Sequence, residues 1–289
     1  MTADVAALRE AIESLWARHE AGDLDADAAG PAERSTLDDV LDGLEAGEVA
    51  AASPVDGGAS DNAAGWRANE WVKRGILLNF ALRPIEAREH GGVVYNDVLP
   101  LAETDGYGDR GTRNTPDGTV VRRGAHVGDD AILMSPSFVN VGASLGDGTL
   151  VDSAVTVGSA AQVGDGVKIG ANTLVGGVLE PVEDAPVVLE DDVTLGAGCR
   201  VTSGFVVGEG SVVAENTLLT PRIPVYDLVE ERVLYGHLPP ERRAFTRFVA
   251  SSVGDHDLFD GGAYKPAVVA MDLTASTLDG AAREEVLRE

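Results

Sequence analysis

The sequence predicts a mainly β fold, a parallel β-helix of hexapeptide repeats behind an α-helical N-terminal domain, and three observations carry that prediction. A branched aliphatic residue returns every sixth position, from Val121 through Val127, Leu133, Val139, Leu145, Val151, Val157, Val163 and Ile169 to Val175, then again from Leu189 to Leu219. Four places after each comes a small or modest residue, such as Ala125, Ala131, Ser137, Ala143 and Thr149, with only Phe205 bulky in that frame. Glycine or a short polar residue follows many of the aliphatic ones, as in Val127-Gly128, Val163-Gly164 and Leu195-Gly196. A short fixed period marks a solenoid whose repeats stack on their neighbours. The glycines are expected at corners, where the chain turns through backbone angles that other residues resist. A sandwich strand would instead alternate with period two over five or more residues, and this stretch does not.

In chain order, Val5, Leu8, Ile12, Leu15 and Trp16 follow helical spacing. Leu37, Val40, Leu41 and Leu44 do the same behind Ser35 and Asp38, a pair resembling a capping box. The polar stretch from Ser53 to Asp61 reads as a loop, and Trp66 to Phe80 as a helix leading toward an apolar strand. A glycine-rich linker is expected from Asp105 to Gly118. The domain boundaries so read are 1–118 for the helical domain, 119–222 for the β-helix and 223–289 for a C-terminal domain. The hexad frame breaks between Val175 and Leu189, so an excursion loop is expected over 176–188, where Gly176, Gly177, Pro181 and Pro186 lie. Beyond Pro221, Ala267 to Leu273 reads as a late strand and Ala281 to Leu287 as a helix.

Charge excludes several partners. Asp and Glu number 48 against 22 Lys and Arg, a formal net charge of -26, and only Lys73, Lys168 and Lys265 are lysines. Such a surface repels nucleic acid and anionic membrane, so neither is expected as a partner. Acid-rich, lysine-poor composition fits a halophilic protein, kept soluble where concentrated salt screens self-repulsion. No apolar run reaches the length of a membrane span, and the N-terminus has no signal-peptide core, so the expected location is the cytoplasm. Cys199 is alone and falls in the small-residue frame, which favours packing over nucleophilic use.

The interior of a β-helix is filled by its aliphatic ladder, so chemistry belongs on the outside, in clefts at the corners between neighbouring copies. Asp152, after Val151, puts a carboxylate at a corner position. Of the five histidines only His126 lies in the repeat, which is too few for a three-histidine zinc site; no metal is expected. Arg113, Arg122 and Arg123 gather at the entrance to the repeat, with Lys168, Arg200 and Arg222 along it, and retained cations in so acidic a chain suit an anionic ligand.

Longer strings are more specific. Trp71-Val72-Lys73-x-x-Ile76-Leu77-Leu78-x-Phe80, Leu133-Met134-x-Pro136-Ser137-Phe138-Val139-Asn140-Val141-Gly142-Ala143, Gly148-Thr149-Leu150-Val151-Asp152, Thr156 to Gly164 and Gly176-Gly177-Val178-Leu179-Glu180-Pro181 resemble the tetrahydrodipicolinate N-succinyltransferase family of hexapeptide-repeat transferases. The resemblance runs from about Trp66 to Tyr235-Gly236, and more loosely beyond. It implies a left-handed β-helix, a homotrimer with active sites between subunits, and succinyl transfer from succinyl-CoA to the amine of ring-opened tetrahydrodipicolinate in lysine and diaminopimelate biosynthesis. The family's substrate-contacting Arg and Asp fall on Arg113 and Asp152, the latter also catalytic by proton acceptance; Gly177 and Ala197 are where the pantetheine arm of the co-substrate would pass. No permanently bound cofactor is implied. One departure is notable: a family glutamate with an acid/base role falls on Arg200, with Glu180 and Asp192 as possible substitutes. Single-residue insertions also fall near Ser135 and within Arg113 to Gly124. Acetyl-CoA as donor on the same fold, or a non-catalytic scaffold, are the alternative readings.

Overall fold

The computed structural model of the chain describes residues 5–55, 65–116, 118–179, 185–252 and 262–274. The sixfold beat closes into a left-handed parallel β-helix of three walls. The first wall begins with Arg113–Asn114 and adds Ile132–Leu133, Leu150–Val151, Lys168–Ile169, Thr194–Leu195 and Val212–Val213. The second runs from Thr119–Val121 to Leu218–Leu219, and the third from His126–Val127 to His237–Leu238. Strands stack in register at an offset of 18 residues, as Leu150 on Lys168 and Ser144 on Gln162, so three hexads make one coil. The ladder thus starts inside the segment 105–118, and its first coil holds one residue more, Arg113 pairing with Ile132 at an offset of 19.

Each two-residue strand points its first side chain outward and its second inward. Leu133, Val139, Leu145, Val151, Val157 and Ile169 are all fully buried. The modest residues between them, Ala131, Thr149, Val167 and Cys199 among them, are buried too, so both frames of the hexad fill the interior. Phe205 is 0% exposed and occupies the same interior column.

The corner glycines have a different reason from the one the sequence suggests. The left-handed backbone falls two residues after the first corner residue, at Asp130 (φ 54), Ala154 (φ 60) or Asn172 (φ 60), and also at glycines such as Gly148 (φ 64). The glycine itself faces the coil above. A Cβ on Gly146 would lie 2.5 Å from the carbonyl carbon of Gly164, and one on Gly170 would lie 2.7 Å from the amide nitrogen of Ala197. Stacking distance, not backbone angle, selects glycine there.

Across the break, Gln162 pairs with Val188 at an offset of 26, so the excursion inserts eight residues without shifting the register. Its described flanks pack down: Val178, Leu179 and Val187 are buried. Glu180 lies outside the described residues, as does the segment expected to form the helix at 281–287.

The N-terminal domain packs α1 (Val5–Glu20), α2 (Pro31–Glu45) and α3 (Glu70–Leu82) through Ile12, Leu37, Val40, Val72 and Ile76. Two details differ from the sequence reading. α2 starts one turn early at Pro31, where the Gly30 amide donates to Glu33 Oε2 at 3.1 Å; Ser35 and Asp38 lie inside the helix. Trp66–Ala68 is a strand paired with Ala52–Pro54, because Asn69 Nδ2 donates to Ala50 O (2.7 Å) and to Ser53 Oγ (2.9 Å) and ties that turn before α3 begins. A hairpin of Glu86–His90 and Val93–Asp97 follows. Among the described residues no helix is long and apolar enough to cross a membrane.

Beyond the prism the first wall continues into a C-terminal sheet. Arg242–Ser251 joins it beside Val212–Val213 and pairs over ten residues with Ala263–Asp272, the late strand expected from 267–273. This sheet is pinned by Asp227, 1% exposed, whose carboxylate accepts from Arg242 Nε at 3.0 Å and from the Val229 amide at 3.1 Å. Burial pushes its pKa up, but the Arg242 bond and charge outweigh burial and hold it below the ordinary 3.8. A group depressed in this way stabilises the fold above its unfolded pKa and loses that contribution as pH falls through the folded value. Asp227→Ala should therefore cost about 3 kcal/mol at neutral pH by removing the buried carboxylate to which Arg242 Nε donates, with only Glu230, 3.5 Å from Nη2, left to pair the guanidinium. In urea unfolding, the gap to wild type should persist down to pH about 4 and shrink below it.

At the corner between the third and first walls, aspartates stack coil upon coil. The amide of Asp129 donates to Asp147 Oδ1 (2.8 Å), that of Asp147 to Asp165 Oδ1 (2.8 Å), and that of Asp165 to Asp191 Oδ1 (2.9 Å). The ladder satisfies turn amides at the cost of like charges about 4.8 Å apart per rung. Asp165→Asn keeps the acceptor and removes the charge. Its melting temperature should exceed wild type in low salt and match it in molar salt, where screening reaches only about 3 Å.

Candidate active site

Asp152 follows Val151 at the corner between the first and second walls, where the equivalent positions of the other coils hold Met134, Gly170, Gly196 and Ala214. It is half-buried, and its Oδ1 accepts from the Ser153 amide at 2.6 Å, which fixes the carboxylate against its own turn. The corner column above it is bare. Backbone bonds stack Asp152 on Gly170 (through Ile169 O, 3.0 Å), Gly170 on Gly196 (through Leu195 O, 2.8 Å) and Gly196 on Ala214 (through Val213 O, 2.8 Å). The neighbouring column holds Ser153, Ala171 and Ala197, joined by the amides of Asn172 and Gly198. Because stacking selects glycine and alanine there, a smooth groove rises from a carboxylate at its foot.

On the second wall, reached at Ala154 two residues beyond Asp152, an open cavity of about 280 Å³ is lined by Gly118, Pro136, Ser137, Phe138, Ala154 and Thr156. Ser137 borders it but is 5% exposed, and its hydroxyl is buried without a hydrogen-bond partner among the described residues. The burial of Ser137 agrees with the packing frame in which the sequence reading placed it.

Arg113 projects from the first wall, exposed, on the rung that pairs with Ile132, which in turn pairs with Leu150. That puts it two rungs, about 10 Å, below the strand that ends at Asp152. It forms no ion pair among the described residues, whereas the other two arginines at the entrance are structural. Arg122 Nη2 donates to Asp97 (2.6 Å), Nη1 to Asn140 (3.1 Å), and the guanidinium lies 5.1 Å from the Phe80 ring. Arg123 binds Asp42 and Glu45 of α2. His126 Nδ1 lies 2.8 Å from Glu45 O, so it too docks the helical domain. The three-arginine cluster is thereby divided, and Arg113 alone is available to a ligand.

Ala197 is exposed two coils above Ser153 on the Asp152 corner, but Gly177 is at the next corner, between the second and third walls. A Cβ there would meet Ser159 Oγ at 2.6 Å and Ser159 N at 2.7 Å, so chain packing requires that glycine. Within one chain, then, Asp152 and Ala197 share a corner, Arg113 stands on the adjoining first wall two rungs below, and Gly177 lies at another corner. Arg200 projects from the second wall between Leu174 and Leu218, donating to Gly198 O at 3.1 Å. Asp192 lies at the corner between the third and first walls, away from Asp152. Among the described residues no group of three or more His, Cys, Asp or Glu side chains is arranged to hold a metal ion.

Residues 7–82 match the family described as Tetrahydrodipicolinate N-succinyltransferase N-terminal. The 2,3,4,5-tetrahydropyridine-2,6-dicarboxylate N-succinyltransferase of Methylobacterium sp. (strain 4-46) is 35% identical over 291 residues, covering 98% of this chain and 98% of that protein. The protein of the same name from Dechloromonas aromatica (strain RCB) is 31% identical, covering 97% of this chain and 98% of its own. The chain belongs to the tetrahydrodipicolinate N-succinyltransferase family. It is therefore an acyltransferase of lysine and diaminopimelate biosynthesis. A further member, from Chromobacterium violaceum, is 38% identical over 80% of this chain and 83% of its own.

Cys199 is packed inside the prism. It is 0% exposed, its Sγ lies 3.1 Å from Ala214 O, and burial pushes its pKa up to about 11. The native thiol should resist iodoacetamide at pH 8 and react only after unfolding, as followed by mass spectrometry. Cys199→Ala should retain the wild-type kcat.

Proposed function

We propose that the corner groove is the site of succinyl transfer from succinyl-CoA to the amine of ring-opened tetrahydrodipicolinate, with Asp152 as proton acceptor and Arg113 as carboxylate clamp. The observation that carries this reading is the fixed carboxylate at the foot of the bare Gly170–Gly196 groove. A thioester arm lying in that groove brings its carbonyl carbon to Asp152. The substrate amine then attacks that carbon, the C–N bond forms as the C–S bond breaks, Asp152 takes the amine proton, and the coenzyme leaves as thiolate to be reprotonated. Positioning and proton transfer supply the rate. Arg113 pairs with a substrate carboxylate in the bidentate manner open to a guanidinium without a carboxylate partner among the described residues. Ala197 borders the arm; Gly177 reaches the arm only from a second copy, because it belongs to another corner.

A homotrimer with sites between copies fits the apolar surface. Val120, Phe138, Leu174 and Leu218 all point outward from the second wall, with Leu218 37% exposed, and Ile85, Val93 and Val94 on and beside the N-terminal hairpin are 72%, 67% and 67% exposed. Patches of this kind on a chain of net charge -26 support association between copies. A cytoplasmic location and adaptation to concentrated salt are supported by the acidic, lysine-poor composition and the aspartate ladder.

Asp152→Asn should lower kcat about 10²–10⁴-fold without altering the molar mass read by light scattering. The assay follows free thiol release with succinyl-CoA, with acetyl-CoA in parallel. Near-normal turnover by this variant removes Asp152 from the chemistry, and faster turnover with acetyl-CoA than with succinyl-CoA overturns the donor.

A further inference from the structure

The corner between the third and first walls also holds a carboxylate in a column of glycines. Gly128, Gly146, Gly164 and Gly208 occupy the position after the inward aliphatic residue in four of its coils, and Glu190 occupies it in the coil between Gly164 and Gly208. Stacking disfavours a side chain there: a Cβ on Gly164 would lie 2.8 Å from the Asp191 amide nitrogen. The Glu190 carboxylate reaches the N-terminal domain. Its Oε1 accepts from Trp66 Nε1 at 2.9 Å, and its Oε2 accepts from the Glu209 amide at 3.1 Å. Each carboxylate oxygen can accept two bonds, so half of that capacity is left.

Between the strand Trp66–Ala68 and the third wall lies a cavity of about 520 Å³, whose lining includes Trp66, Gln162, Val188, Glu190, Asp191 and Glu209. This is the size of a small-molecule site. It lies away from Asp152, which stands at a different corner. Gln162 is only 6% exposed, and its Nε2 donates to the carbonyl oxygens of Gly142 (3.3 Å), Ala160 (3.0 Å) and Ala161 (3.0 Å). Only the amide nitrogen can donate to carbonyls, so the side chain has one orientation. Its Oε1 then accepts no bond among the described residues. A buried amide oxygen left in this way calls for a donor, and a ligand N–H in the cavity would supply one.

Charge selects the kind of ligand. Three carboxylates line the cavity and no Lys, Arg or His does. Asp191 and Glu209 belong to stacked coils, one rung or about 4.8 Å apart. Among the described residues no group of three such side chains is arranged to hold a metal ion, so spread-out carboxylates suit an elongated organic cation instead. Ammonium groups donate to the carboxylates and to Gln162, while methylenes lie against Val188 and the Trp66 ring. A ligand carboxylate would meet like charges only.

We propose that this cavity binds a linear aliphatic diamine or polyamine, at a site separate from the acyl-transfer groove. Titration with 1,5-diaminopentane in low salt, followed by calorimetry and tryptophan fluorescence, should show one site per chain. 1,5-Pentanediol keeps the chain length without the charge, and L-lysine adds a carboxylate; each should bind at least about tenfold more weakly. Glu190→Gln keeps an acceptor for Trp66 and removes the charge, and Asp191→Asn does the same for the Asp165 amide. Each should weaken diamine binding about tenfold while kcat with succinyl-CoA stays within about twofold of wild type. Glu10→Gln, an equal change in net charge at an exposed position of α1, should leave the affinity unchanged. The fluorescence change should vanish in Trp66→Phe, which retains Trp16 and Trp71. Equal binding of pentanediol or lysine, equal weakening by Glu10→Gln, or a fluorescence change that survives Trp66→Phe overturns the site.

Discussion

Register in the aliphatic ladder is the constraint on which the rest depends. Val151 stacks on Ile169 and Leu133, Val157 on Val139 and Val175, each fully buried. A slip of one residue would turn every inward side chain to solvent and every outward one into a core with no room for it. At about 25 cal/mol per Å² of apolar surface, that penalty accrues over every coil. The excursion after Gly176 consequently has to enter and leave without disturbing the frame, and Gln162 and Val188 still pair around it.

With the interior fixed, variation is confined to corners and outer walls, and each corner is used differently. One carries the aspartate ladder, in which the side chain of each coil satisfies the amide of the coil before it. Another admits the excursion at Gly177. The third holds Asp152 below small residues, a carboxylate where stacking elsewhere favours glycine. The helical domain closes the start of the prism through Arg122, Arg123 and His126, and the ribbon extends the first wall at its end. The corner of Asp152 is therefore bounded along its length by elements whose ion pairs are internal.

The repeat was legible because a burial requirement with period six leaves its mark on every coil. The strands Trp66–Ala68 and Arg113–Asn114 were not, since each is paired with residues distant in sequence and neither has a periodic pattern of its own. Arg122 and Arg123 read like Arg113 from composition; only the positions of Asp97, Asp42 and Glu45 separate a domain clamp from a ligand contact. Asp152 was visible as a break in the corner-glycine pattern, and family resemblance gave it a role.

The most direct test of this architecture is a distance across the excursion. Ile132 and Val212, 80 residues apart in sequence, face outward on the same wall four rungs from each other. Spin labels at these two positions, in a Cys199→Ala chain diluted with unlabelled copies, should give one narrow electron-electron distance near 19 Å, four rungs of about 4.8 Å. A broad distribution, or a distance longer by one rung or more, would contradict an unbroken ladder and with it the groove that leads from Asp152 to the ribbon.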